Sequence, residues 1–279
     1  MRKLTENEWN TFERYLYEEE KSEHTIDKYR HDVHVFSRYV RGKSLTKELV
    51  LTYKRELCEK YAPRSVNSML SALNSLFDFL EWTDLKVKTL KIQRPIFAER
   101  DTELRKSEYD RLLEVAKQRK NDRLYYLIQT LGATGIRVSE LRHITVEAVR
   151  LGRAVIHCKG KIRKILLPEA LCKMLAKYAR TQKLQKGAVF VTAHGRPLDR
   201  SSIWKMLKGL CGEAGVSPKK VFPHNLRHLF ARTYYALQKD IVRLADILGH
   251  SNVNTTRIYT VETSDRCDRQ LQKLGFLRC

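Results

Sequence analysis

The stretch PHNLRHLFARTYYAL, residues 223–237, predicts a helix that follows a chain break at Pro223. Its apolar residues lie on one side of such a helix: Leu226, Leu229 and Phe230. His224 and Arg227 are three apart and share a face, so together they suit an anionic oxygen. The alternatives are a core histidine with satisfied nitrogens, and a metal pair of His224 and His228 with no carboxylate or cysteine partner nearby.

Upstream, the stretch ATGIRVSEL, residues 133–141, places Arg137 after a glycine turn and at a predicted helix start. Free N–H groups and the positive end of the helix dipole favour anions at such a position. A guanidinium there adds a planar fork that matches a phosphate. The alternative is a surface arginine that pairs with Glu140, three residues further on.

Downstream, the stretch LGHSNVNTTRIY, residues 248–259, predicts the end of a helix. Gly249 fits the left-handed residue that commonly follows a helix. His250 would then leave the helix end with its ring free to point at a ligand. Tyr259 follows a polar loop and a short helical turn, and its alternative role is packing.

Between these stretches, residues 154–158 and 162–167 predict a β-hairpin with Lys159 at its tip. A lysine in a β-turn is normally solvated, but on this tip Lys159 could also extend into a substrate groove. Helices predominate again from Leu171 onward.

The chain predicts two domains: a helical domain at 1–84 and a second domain at 101–279, joined by a basic extended linker at 85–100. The first domain has three helical faces that contain, in turn, Trp9, Phe12 and Leu16; Ile26, Tyr29, Val33, Phe36 and Val40; and Val66, Leu70, Leu73, Phe77 and Leu80. The predicted helix starts are Thr5, Thr25, Ser65 and Ser107. The fold class is therefore mainly α with a small β-hairpin.

Charge separates the two parts of this 279-residue chain. Residues 1–100 carry 19 basic and 16 acidic side chains, whereas residues 101–279 carry 35 and 16. Such a positive field attracts polyanions, and nucleic acid is the commonest of these. Mean hydropathy of −0.48 and no long apolar run argue against a membrane span. Without a secretory segment at its start, the chain is expected in the cytoplasm, with its six cysteines reduced.

Three stretches in this order, ATGIRVSEL, HNLRHLFA and LGHSNVNTTRIY, resemble the motifs of the tyrosine recombinase (phage integrase) family. The compact layout is similar to that of Xer-type recombinases and mobile-element integrases. The resemblance implies a core-binding domain at 1–84 and a mixed α+β catalytic domain at 101–279. It also implies an active set: Arg137, Lys159, His224, Arg227, His250 and Tyr259. Lys161 and Lys164 on the same hairpin are alternatives to Lys159.

The resemblance further implies a site-specific recombinase that cleaves and rejoins double-stranded DNA through a 3′-phosphotyrosyl intermediate on Tyr259. A homo-oligomer on DNA, a tetramer assembled through the C-terminal tail, is part of this expectation. No cofactor, metal or ATP is expected, since the sequence has no Walker glycine loop and no carboxylate cluster near the site. The alternative functions are a type IB topoisomerase-like nicking and closing enzyme and a DNA-binding regulator without catalysis.

Overall fold

The computed structural model describes residues 2, 4, 6–92, 102–158 and 161–260. These residues are mainly helical with one two-stranded sheet, which confirms the predicted fold class. The chain divides into two compact units, Met1–Arg94 and Pro95–Cys279. None of the described helices combines the length and the apolar character needed to cross a membrane.

The first unit is a bundle of four helices around an apolar core. The helices are α1 (Glu6–Glu18), α2 (Glu23–Val40), α3 (Lys47–Lys60) and α4 (Pro63–Phe79). The core contains the predicted faces, including Phe12, Phe36, Leu70, Leu73 and Phe77, all fully buried. Burial of these faces stabilises helices whose isolated propensity is modest.

Two helix starts in this unit differ from those predicted, and the predicted start at Thr5 lies outside the residues that the structure describes. Helix α2 begins two residues before Thr25, because the hydroxyl of Ser22 accepts the backbone N–H of Thr25 and makes Ser22 the cap. Helix α4 begins at Pro63 rather than after Ser65. Proline fits the first helical position, where its missing N–H would have had no partner within the helix.

The first part of the predicted linker packs on this bundle. Leu85 and Val87 are buried in its core. The side-chain amide of Asn74 both donates to and accepts from the backbone of Val87, and Asn67 does the same for Leu90. Paired backbone groups and alternating apolar side chains together explain why this segment remains extended. Residues 93–100 of the predicted linker lie outside the described residues.

The second unit surrounds α6, which packs against α5, α8 and α11. Its helices are α5 (Lys106–Gln118), α6 (Asp122–Thr134), α7 (Val146–Leu151), α8 (Glu169–Thr181), α9 (Arg200–Lys208), α10 (Cys211–Ala214), α11 (Pro223–Gln238) and α12 (Ile241–Leu248). Leu124, Leu127, Ile128 and Leu131 bury one side of α6. The predicted cap at Ser107 is wrong: α5 starts at Lys106, and the carboxylate of Glu108 accepts the N–H of Arg105.

The predicted hairpin is present as an antiparallel pair, β1 (Arg153–Cys158) and β2 (Lys161–Leu166). Ala154, Ile156 and Ile165 bury one face against the unit's core. Val155, Ile162 and Leu166 on the opposite face are exposed, as the alternation of side chains along a strand requires. Arg163 pairs with Ile156 and therefore lies on the inner face.

Candidate active site

Arg227 on α11 is the central residue of the candidate site. Its side chain is only 2% exposed, a rare position for a charge. The guanidinium donates to the carbonyl of Gly135 at 2.7 Å and to that of Leu248 at 2.8 Å. Both carbonyls lie at helix C-termini, where unpaired oxygens and the negative end of the helix dipole stabilise a cation. Burial, and then the charge of Arg137, lower the pKa of Arg227 to about 10, so it remains charged at neutral pH.

Glycines make both of these helix ends possible. Gly135 after α6 and Gly249 after α12 have φ of +60° and +65°, the left-handed region that favours glycine. A Cβ on Gly135 would overlap the ring of Phe230, and a Cβ on Gly249 would overlap the side chain of Arg163. The predicted left-handed residue at Gly249 is thus present. The predicted turn at 132–135 is confined to Gly135, because α6 continues through Thr134.

Arg137 stands at the start of a 3₁₀ helix, Val138–His143, and its side chain is 43% exposed. Its backbone N–H donates to the carboxylate of Glu140 at 2.8 Å, and its guanidinium donates to the same carboxylate at 3.1 Å. A second guanidinium nitrogen is 3.4 Å from the carbonyl of Gly249. Arg137 therefore pairs with Glu140 and at the same time lies beside the helix ends that bind Arg227.

Glu140 also binds Arg163, a residue that the sequence patterns did not single out. Arg163 donates to both carboxylate oxygens at 2.6 and 2.7 Å and to the carbonyl of Ile247 at 2.6 Å. Burial opposes the charge of Glu140, but the Arg137 N–H and the two arginine charges lower its pKa. Arg163 thereby links the hairpin to the last turn of α12. In the sequence, the available signal for Arg163 was its position on the inner face of the predicted hairpin, next to the predicted lysines.

Tyr259 lies in a second 3₁₀ helix, Arg257–Tyr259, and is only 3% exposed. Its ring packs in a small apolar cluster with Ala231 of α11 and with Leu244 and Leu248 of α12. Burial lowers the pKa of the Arg227 guanidinium, and electrostatic interaction with Tyr259 partly opposes that effect. The tyrosine therefore packs in the fold and also lies close enough to the buried cation to interact with it electrostatically.

Two histidine rings contact Tyr259, and a third contacts one of them. His228 meets Tyr259 edge-to-face with ring centroids 4.8 Å apart, and His250 stacks on Tyr259 at 6.1 Å. The ring centroids of His224 and His228 are 4.5 Å apart. Burial is the first cause that lowers all three histidine pKa values, to about 4 for His228 and His250, and nearby positive charges add to it. The rings are therefore neutral at pH 7.

The His224–His228 pair has no further ligand of the kind that a metal site needs. Among the described residues, no three histidine, cysteine or acidic side chains are grouped so that they could bind a metal ion. Nε2 of His228 is buried and has no hydrogen-bond partner. Asn225 uses its amide to bind the carbonyls of Thr102 and Lys220.

The hairpin lysines are described only in part. Lys159 lies outside the described residues, so its prediction stays as the sequence made it. Lys164 is exposed and pairs with Val155 on the outer face of the hairpin, opposite to Arg163. The other five predicted residues are connected by the contacts above, with Arg227 at their centre.

Comparison with known families gives the decisive observation. The phage integrase family matches residues 102–266, more than half of the chain, and the N-terminal SAM-like domain of phage integrases matches residues 10–84. The chain belongs to the phage integrase family. It is thus a tyrosine-type site-specific recombinase, and the five connected residues lie within the matched region.

Named relatives agree with this assignment. The recombinase is 33% identical to the tyrosine recombinase XerA of Thermococcus kodakarensis, over 94% of this chain and 93% of that protein. A crystal structure of XerA recombinase is 28% identical, with a TM-score of 0.53, over 98% of this chain and 99% of the other. The fold is also similar to a lambda integrase tetramer bound to a Holliday junction, at 17% identity and a TM-score of 0.73, over 95% and 79%.

Proposed function

We propose that this recombinase cuts double-stranded DNA by attack of the Tyr259 hydroxyl on a backbone phosphorus. The new bond joins the phenolic oxygen to the 3′ phosphate, the bond from phosphorus to the 5′ oxygen breaks, and that oxygen takes up a proton. Attack by the 5′ hydroxyl of another strand then reverses the step and frees the tyrosine. The number of phosphoester bonds is unchanged, so no ATP is needed.

The position of Tyr259 supports this proposal most strongly, because its ring stacks on His250, and Nε2 of His250 is 2.9 Å from Nη2 of the buried Arg227. A tyrosine hydroxyl is a weak nucleophile at neutral pH unless a base or a positive charge assists it. The Arg227 guanidinium, which interacts electrostatically with Tyr259, can donate to a nonbridging phosphate oxygen. A single fixed charge would therefore bring nucleophile and phosphate together and stabilise the charge that develops in the transition state.

The remaining roles follow from position and charge. Arg137, which is partly exposed, is proposed to bind the second nonbridging oxygen, and His250 to donate to the phosphate. His224 is proposed as the group that moves the nucleophile's proton, because a neutral imidazole can accept one. Lys159 is proposed, from the sequence, as the donor to the leaving 5′ oxygen.

A duplex substrate fits the charge of the catalytic part, since residues 101–279 carry 35 basic against 16 acidic side chains. We further propose that four copies act together. Exchange between two duplexes needs four strand cuts, and each chain supplies one Tyr259. Docking of the tail on a neighbouring copy concerns residues 261–279, outside the described residues, and stays a prediction. A DNA substrate is consistent with the predicted cytoplasmic location.

The test is a covalent adduct on a denaturing gel, with a duplex selected by binding from a random library. Tyr259→Phe should bind this duplex with unchanged affinity and form no adduct, because only the hydroxyl is lost. Tyr17→Phe is a matched control, since Tyr17 is exposed in the first unit, and it should form adduct normally. An adduct that persists in Tyr259→Phe would contradict the assignment of the nucleophile.

Two partner sites separate the proposed function from its alternatives. Recombinant products support a recombinase, whereas relaxation of supercoiled DNA without exchange supports a topoisomerase-like enzyme. Binding with no adduct in the unchanged chain supports a regulator. Adduct formation should survive EDTA, because guanidinium groups are proposed to supply the positive charge, and strict dependence on Mg²⁺ would contradict that role.

A further inference from the structure

A fully buried hydroxyl lies directly behind His250. Thr256 is 0% exposed, and its Oγ1 is 2.8 Å from Nδ1 of His250. The backbone carbonyl of Thr256 accepts the N–H of Tyr259 at 3.0 Å. One residue therefore contacts the histidine through its side chain and the tyrosine through its backbone.

The partners of His250 determine which ring nitrogen carries the proton. Nε2 is 2.9 Å from Nη2 of Arg227. A guanidinium has donors only, so Nε2 accepts this hydrogen bond. In a neutral imidazole the other nitrogen is then protonated, and Nδ1–H donates to the Thr256 hydroxyl.

In this arrangement His250 has no free N–H to donate to a substrate, because Nε2 is an acceptor and Nδ1–H is bound to Thr256. For His250 to donate to a phosphate, Nε2 must gain a proton, either in the charged imidazolium or in the other neutral tautomer. The imidazolium needs an acceptor at Nδ1, and the other tautomer needs a donor there. A hydroxyl can do both, since it has one O–H and two lone pairs, whereas an aliphatic side chain can do neither.

We propose that Thr256 is a positioning residue that fixes the ring orientation and proton location of His250 during DNA cleavage. The inference rests on the proposed function, in which His250 donates to the phosphate. Thr256 lies three residues before Tyr259, so movement of the tyrosine segment also moves the partner of the histidine. Orientation of the histidine and position of the nucleophile are thereby coupled.

The neighbouring threonine provides the matched control. Thr255 is exposed, and its hydroxyl donates to the carbonyl of Asn252. Thr256→Val keeps the branched shape and removes the hydroxyl, while Thr255→Val makes the same change one residue away. Thr256→Ser makes the opposite change, since it keeps the hydroxyl and removes the methyl group.

The first measurement is the initial rate of covalent adduct formation. Thr256→Val should lower it by about ten- to a hundredfold, the loss expected when a buried polar group has no partner. Thr256→Ser should stay within about threefold of the unchanged chain, and Thr255→Val should equal it. Affinity for the same duplex should not change in any of them. If Thr256→Val reacts at the normal rate, or if Ser is as slow as Val, the proposed role of the hydroxyl is wrong.

The second measurement is independent of activity. NMR of ¹⁵N-labelled histidine at pH 8 should show His250 protonated at Nδ1 in both chains, because Arg227 donates to Nε2, but the Nδ1 proton of Thr256→Val should exchange faster with water, because it has lost its acceptor. An Nδ1 proton that exchanges equally slowly in both chains contradicts the inference. If Thr256→Val does not fold, Thr256→Ser and Thr256→Ala give the same comparison, because they differ only in the hydroxyl. Absence of adduct with the unchanged chain would instead contradict the proposed function.

Discussion

The two compact units bury different kinds of side chain. In the described part of the first unit, Asp32 is the one polar or charged side chain that is buried, and it pairs with Lys28 one turn away. The second unit buries Glu140 and Arg227 together with Thr130, Thr134, Asn225 and Thr256. Several of these side chains lie at or beside the candidate site.

This difference shows in which unit the fold accepts the cost of burying charged groups. Removal of a charge from water is unfavourable unless hydrogen bonds and opposite charges replace the lost hydration. The first unit avoids that cost with an apolar core. The second unit compensates it with helix-end carbonyls for Arg227 and with two arginines for Glu140, and so keeps fixed charges at the proposed phosphate site.

The sharpest test of this comparison is Arg227→Lys, which keeps a charge but removes the fork. One ammonium on a flexible stem cannot bind Gly135, Leu248 and His250 in the same geometry. We expect adduct formation to fall by about a hundred- to a thousandfold, as when a transition-state donor is lost. Arg243→Lys, an exposed arginine on α12, is the control and should keep the normal rate. Equal rates in the two variants would refute the special role of the buried guanidinium.

The apolar core is tested by Leu73→Ala in α4, where the side chain is fully buried. The lost burial and the cavity should lower the free energy of unfolding by about 2 to 5 kcal/mol. Urea denaturation of the full chain, followed by circular dichroism, measures this. Leu51→Ala on α3 is the control, and its exposed side chain predicts a change below about 0.5 kcal/mol. Similar losses in both variants would argue against an apolar core as the source of stability.

The smallest effect concerns pH. His228 and His250 have folded-state pKa values lowered to about 4 from 6.5, so protonation favours the unfolded chain. Their contribution to stability is complete above pH 6.5 and is lost as the pH falls through 4. We expect the melting temperature to drop over that range, equivalent to about 1 to 3 kcal/mol for each histidine.

His228→Phe isolates one part of this pH dependence. It removes a titrating group whose Nε2 has no partner and keeps a ring of similar size against Tyr259. The melting temperature of this variant should depend less on pH between 6.5 and 4. His34→Phe, an exposed site in the first unit, should leave the dependence unchanged. A pH dependence that is the same in His228→Phe and the unchanged chain would refute the role of burial at His228.

Much of the fold could be predicted, because helix and strand periodicities depend on local sequence. The faces through Phe36, Leu73 and Leu226 are buried as predicted, and the hairpin has its predicted place. The helix starts predicted at Thr25, Ser65 and Ser107 differ from those in the structure. Each start depends on which of several nearby polar groups caps the first turn, and the type of residue alone does not decide that.

The sequence by itself determined the family, the residue types of the candidate site and the positive field, because motif order, spacing and charge are properties of the chain. Tertiary structure decided which groups meet. Glu140 binds Arg163 from the hairpin, Arg227 binds two helix ends far apart in sequence, and Thr256 supports His250. Such contacts join residues of different elements, and the direction of a hydrogen bond depends on packing that no local pattern encodes.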